Sequence, residues 1–141
     1  MDGTLRKTWA MQAETVIKAL ERNNMQGFYV PGRAAVPDKV AELLHDEDTV
    51  AVGGSMTLEE TGVMELLRSG RYRFLDRYAP GLTREQVEQV FRESFFADAY
   101  LCSSNAVTLK GELYNVDGNA NRVAALCYGP KSVILVVGCN K

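Results

Sequence analysis

Between Ser103 and Arg122 the chain reads SSNAVTLKGELYNVDGNANR, a density of hydroxyl, carboxamide and charged side chains that core packing does not require. Asparagine and aspartate beside glycine are ordinary turn formers, which accounts for Asp117-Gly118. Asn105, Thr108 and the Asn121-Arg122 pair are left unexplained. Arg122 falls in the first turns of an expected helix, where a cation opposes the helix dipole, so it is expected to face a carboxylate or another anion. Asn105, Thr108 and Asn121 are then candidates to orient that anion. Asp117 and Glu112 are candidate general bases, and Lys110 a candidate to stabilise developing negative charge.

A second stretch, Gly53-Gly54-Ser55-Met56-Thr57, stands between an apolar run and a helix, a setting that presents backbone N–H groups to phosphate or carboxylate. Gly54, Ser55 and Thr57 are its candidate contacts. The loop lacks the lysine of a P-loop and the spacing of G-x-G-x-x-G, and Thr57 stands where a nucleophile elbow needs its last glycine. Thr57-x-x-Glu60 matches a capping box, a structural account of both residues that competes with the binding one. Glu59 and Glu60 in the first turn would repel a second anion, and Glu60 is a third candidate base.

The elements that must position these residues follow from periodicity. Apolar residues at helical spacing mark helices over about Leu5–Arg22, from Pro37 to about His45, after the Gly53–Thr57 loop to before Gly70, and after the Thr83-x-x-Gln86 capping box. Residues 119–127 are also compatible with a helix. Strands are expected at 27–30, 49–52, 72–75, 99–102 and 133–137, with a hairpin whose arms, AVTL and ELYN, flank Lys110-Gly111. The alternation implies an α/β fold with a three-layer, mostly parallel sheet, helices on both faces and an added β-hairpin. Ligands of such sheets bind outside the carboxyl ends of the strands, which is where both polar loops fall.

Composition bounds the function. At 141 residues the chain has the size of one domain, 1–141, with 46% hydrophobic and 24% charged residues. A net charge of −2 argues against nucleic acid as a partner. No apolar run is long enough to span a bilayer and no signal-peptide core is evident, so a cytoplasmic location is expected. Cys102, Cys127 and Cys139 are too scattered for a disulfide framework or a Cys-x-x-Cys metal site and are expected to be buried thiols. The single histidine, His45, is assigned a structural place at a helix end.

The strings GGSMTLEETG, DAYLCSSNAVTLKGELYNVDGNANRV and YGPKSVILVVG together resemble the LUD domain, the lactate-utilisation family that includes lactate utilisation protein C. The resemblance implies a fold similar to ribose-5-phosphate isomerase and the CoA transferases. It also implies a part in bacterial oxidation of lactate to pyruvate, beside iron–sulfur partner proteins. The family pattern falls on Gly54, Ser55, Thr57, Asn105, Thr108, Gly111, Asn115, Asp117, Gly118, Asn121 and Arg122. Relatives generally continue past the strand matching Ser132–Gly138, some with a cysteine-rich tail. The end at Lys141 therefore suggests a fragment or a minimal version, with no cofactor and no iron–sulfur cluster of its own.

Three functions are weighed. The first is a subunit that binds a small anionic metabolite, a carboxylate or a phosphate, in a cleft at the strand ends. The second is an isomerase-like or acyl-transfer enzyme using Asp117, Glu112 or Glu60 as base. The third is a non-catalytic assembly subunit, a homodimer for instance, whose hairpin pairs with another chain's edge.

Overall fold

Four short apolar runs build the sheet in the computed structural model, which describes residues 3–139. Lys141 lies outside them. Strands β1 (Thr49–Val52), β2 (Arg73–Leu75), β3 (Ala99–Cys102) and β6 (Ser132–Leu135) pair in the order β2-β1-β3-β6, all parallel. A separate antiparallel hairpin joins β4 (Ala106–Val107) to β5 (Leu113–Tyr114). Because β1 and β3 are the inner strands, both of their faces are covered. Their period of two sends Val50, Val52, Ala99 and Leu101 into one core and Ala51, Tyr100 and Cys102 into another.

The helices are α1 (Gly3–Arg22), α2 (Val36–Leu43), α3 (Met56–Glu60), α4 (Val63–Leu67), α5 (Arg84–Glu93) and α6 (Asn121–Cys127). The first core is completed by Val40 of α2, Leu58 of α3 and Val63, Met64 and Leu67 of α4. Ala97 and Ala125 of α6 complete the second, with Phe95 and Leu126 packed against it. This is the expected three-layer arrangement. At the strand starts, Asp98 accepts the Thr49 N–H at 2.9 Å and faces Lys131 at 3.3 Å, tying β1 and β3 to the entry of β6. The Thr49 hydrogen bond, followed by Lys131, holds the Asp98 carboxyl below its ordinary pKa.

The capping box at Thr83 forms as expected, with its hydroxyl accepting the Gln86 N–H and the Gln86 side chain accepting the Thr83 N–H. Elsewhere the structure departs from sequence expectation. Residues 27–30 form no strand, since Gly27 packs against Ile17 of α1 instead of reaching the sheet. The helix expected to run unbroken toward Gly70 is interrupted at Thr61-Gly62 into α3 and α4. Ser55, not Thr57, precedes α3, so the expected Thr57-x-x-Glu60 capping box does not form; the Thr57 carbonyl instead accepts the Thr61 hydroxyl. Of the three cysteines only Cys102 is buried, because Cys127 and Cys139 fall at the end of α6 and beyond β6. Among the described residues no helix is long and apolar enough to cross a membrane.

The hairpin is tighter than its expected four-residue arms. Thr108 and Glu112 close it through the Thr108 N–H to the Glu112 carbonyl at 3.0 Å, leaving three loop residues that end on Gly111 at φ 81°. That is the three-residue loop whose last position is left-handed. Its turn lies directly on α1, since a Cβ at Gly111 would come within 2.9 Å of the Ala19 carbonyl carbon and 3.0 Å of the Leu20 nitrogen. Backbone cannot yield as a flexible side chain can. Gly111→Ala therefore combines φ strain with a backbone clash and is expected to destabilise the protein by about 1–3 kcal/mol in urea unfolding, whereas a change below ~0.5 kcal/mol would show the turn to be free of α1.

Candidate functional site

The carboxyl ends of β1, β2 and β3 converge, and three loops leave them: 53–55, 76–78 and 103–105. Since β2 lies on one side of β1 and β3 on the other, the chain diverges between β1 and β3, the position where open parallel sheets offer a crevice. Here that crevice is occupied by a side chain of the protein. Arg122, only 8% exposed, runs past Gly53 so closely that a Cβ there would lie 2.9 Å from its Cγ and 2.9 Å from the Tyr100 hydroxyl. Glycine at 53 is what lets the two loops meet.

The guanidinium spends its donors inside the protein. Its Nη2 donates to Asn105 Oδ1 at 2.7 Å and to the Val116 carbonyl at 3.1 Å, and its Nη1 to the Ser103 carbonyl at 3.4 Å. Its Nε stands 3.0 Å from Asp117 Oδ1, an ion pair whose angle is too bent for a straight hydrogen bond. Asp117 Oδ2 accepts the Val123 N–H at 2.7 Å. One aspartate thus serves both as counter-ion and as the acceptor for an N–H in the first turn of α6, whose N-cap residue, Ala120, has no capping side chain and holds a left-handed φ of 60°. The anion that the sequence leads one to expect opposite Arg122 is the protein's own Asp117.

The rest of the Asn-rich segment divides among three places. Ser104, 1% exposed, places its hydroxyl within 3.1 Å of the Tyr114 carbonyl and of Asn115 Oδ1, and Asn105 Oδ1 also accepts the Val116 N–H, so these residues pin the hairpin to the end of β3. Thr108 and Glu112 bond to each other at the hairpin end, and Lys110 is exposed at its tip, close to α1 rather than to the strand ends. Asn119 and Asn121 face α5 across a separate groove, with Gly118 exposed beside them.

An open cleft of about 530 Å³ lies on the β2 side of this network, lined by Gly53, Gly54, Ser55, Met56, Glu59, Met64, Arg68 and Tyr78. Gly54 and Ser55 line this cleft. Thr57 and Glu60 do not line it, and the carboxylate that does is Glu59. Arg68 is paired with Asp76 at 3.1 Å; that hydrogen bond raises its pKa, and the charges of Asp76 and Glu59 add to the effect. Arg77 is different. Its guanidinium stacks 4.5 Å from the Phe91 ring centre and 5.2 Å from that of Tyr78, and no carboxylate pairs with it among the described residues. From the position of a Cβ at Gly54, the Tyr78 hydroxyl is 3.4 Å away and Arg77 Nη1 3.6 Å. Nearby, Ser55 Oγ is buried with no hydrogen-bond partner. An unpaired guanidinium, an unsatisfied hydroxyl and a phenol therefore gather around one glycine.

Arg77, Tyr78, Glu59 and Tyr100 are absent from the sequence-derived candidates. The strand-end rule points to Arg77 and Tyr78, in the loop that leaves β2, but that loop lacks the clustered glycines and asparagines that mark the other two. Tyr100 reads as an ordinary strand residue. Burial pushes its phenol far above the ordinary pKa and keeps it neutral beneath Gly53, with Arg77 and Arg122 near enough to pull the other way. Among the described residues no group of three or more His, Cys, Asp or Glu could hold a metal ion.

A family model described as the LUD domain matches residues 13–141 of the chain. No curated protein and no solved structure matches it.

Leaving a buried guanidinium without its counter-ion costs far more than losing a surface pair. Asp117→Asn is expected to lower stability by about 3–5 kcal/mol in urea unfolding, while Glu112→Gln at the exposed hairpin end stays within ~0.5 kcal/mol. Equal effects from the two changes would show that the Arg122–Asp117 pair does not organise the segment.

Proposed function

The chain belongs to the LUD domain family over residues 13–141, and on that premise we propose that it serves lactate or related organic-acid utilisation by binding a small carboxylate in the strand-end cleft. The observation that carries this reading is that Arg77, without a carboxylate partner among the described residues, comes within 3.6 Å of a Cβ position at Gly54 on the cleft wall, next in the chain to Ser55 with its unsatisfied hydroxyl. A guanidinium binds a carboxylate through two parallel N–H donors, and the stack on Phe91 holds its plane. Ser55 and the Tyr78 hydroxyl supply the further donors that such a ligand needs. Arg122 supports the floor of the cleft instead of touching the ligand. On this reading iron–sulfur partner proteins receive the electrons when the bound acid is oxidised.

Titration calorimetry with lactate and pyruvate tests the site. The expected result is saturable binding that Arg77→Ala weakens by about tenfold or more, with circular dichroism unchanged. Binding that is absent in the parent protein, or equal in the variant, removes the reading.

Glu59 favours a second reading, in which the same cleft performs proton transfer with a carboxylate base. It lines the cleft, whereas Asp117 is engaged by Arg122 and Glu112 lies at the hairpin end. A base beside a bound hydroxy acid exchanges the hydrogen at its α-carbon with solvent. In deuterium oxide, proton NMR is expected to show loss of the lactate α-hydrogen signal with the parent protein and no loss with Glu59→Gln. An unchanged signal with the parent protein excludes the proton-transfer reading and leaves the binding one standing.

A further inference from the structure

A second hollow, of about 460 Å³, lies between α5 and the segment that opens α6, and its size suits a small molecule. Val87, Phe91 and Phe95 give it an apolar, aromatic lining, while Asn119 and Asn121 bring two carboxamides. Arg84, Glu88 and Arg92 stand on its α5 side, Arg84 3.5 Å from the Glu88 carboxylate at the exposed rim and Arg92 without a partner among the described residues. Three observations set it apart from a packing gap. Helix α5 is amphipathic over its ten residues yet buries none of them. The side chains of Asn119, Asn121 and Arg92 have no hydrogen-bond or ion-pair partner among the described residues. Phe91 already carries the Arg77 guanidinium 4.5 Å from its ring centre, so the ring is held in place.

These groups together match one kind of ligand. Phenyl rings stack on planar heterocycles without regard to their identity. Carboxamides, each with donors and an acceptor, pair with the mixed donor and acceptor edge of a base. A guanidinium takes a phosphate, and a carboxylate between them accepts sugar hydroxyls, as the acidic residue of dinucleotide sites does. A simple carboxylate would leave the rings and both carboxamides unused, and a neutral aromatic would leave Arg92 unused. We propose that the α5–α6 groove binds a nucleoside monophosphate, with its base between the phenylalanines and the Asn119–Asn121 pair, its sugar toward Glu88 and its phosphate on Arg92. This site is separate from the strand-end cleft and shares no lining residue with it.

Titration of the full chain with AMP, adenosine and inorganic phosphate tests the proposal. AMP is expected to bind about tenfold or more tightly than either adenosine or phosphate alone. Asn121→Ala weakens AMP and adenosine alike, whereas Arg92→Ala weakens AMP toward the level of adenosine and leaves adenosine unchanged. Both side chains lie near the surface, so circular dichroism verifies that the variants fold, and lactate binding by Arg92→Ala matches that of the parent. AMP binding no tighter than inorganic phosphate, or AMP binding that neither substitution alters, overturns the proposal.

Discussion

A guanidinium buried at the divergence of a parallel sheet must be neutralised within the protein, and much of the polar segment exists to meet that requirement. Arg122 takes its compensation from Asp117, from the Asn105 carboxamide and from the Ser103 and Val116 carbonyls. These acceptors come from two stretches, 103–105 just after β3 and 116–117 just before α6. The charge therefore gathers the loop, the far side of the hairpin and the helix start onto one point. Bare transfer of such a cation from water costs several kcal/mol even after relaxation, so the network forms complete or the segment has no reason to hold its shape. Gly53 is the reciprocal condition on β1, because any side chain there would displace the Arg122 stem.

Much of the architecture was legible from residue patterns for a simple reason. Strands β1 and β3 are buried on both faces, so they read as continuous apolar runs, and the Thr83-x-x-Gln86 signal is local and sufficient by itself. The misreadings share a different cause. Residues 27–30 have the composition of a strand but Gly27 lies against Ile17 of α1, and Thr57-x-x-Glu60 has the spacing of a capping box inside a helix that begins at Met56. Both depend on what lies nearby in space.

The same limit governs the site. A sequence displays polar residues without saying whether their hydrogen bonds end inside the protein or outside it. Asn105, Asp117 and Arg122 stand out in the text of the chain and satisfy one another in the structure. Arg77 attracts no notice among sixteen lysines and arginines, yet it lies at the end of β2 with aromatic neighbours and no carboxylate partner among the described residues. What separates the two arginines is partnership, which only the folded arrangement decides. A plain turn at Asp117-Gly118 is likewise too small an account, since the aspartate accepts an N–H in the first turn of α6 and balances a charge.

The pairing pattern of the sheet bears on how the chain reaches this state. Thr49 meets Arg73, Val50 meets Ala99, and Ala99 meets Ser132, so no strand of the main sheet finds its partner nearby in sequence. Loop-closure entropy must be met before any of these contacts gives a return, which makes the parallel sheet slow to assemble, whereas the β4–β5 hairpin and the helices form from neighbours. Strand β3 is the piece that the β6 pairing waits for, since it bridges β1 and β6, whereas β2 pairs with β1 directly. The order of assembly then runs from local elements to β3 docking against β1, and the arginine is enclosed only once that seam has closed.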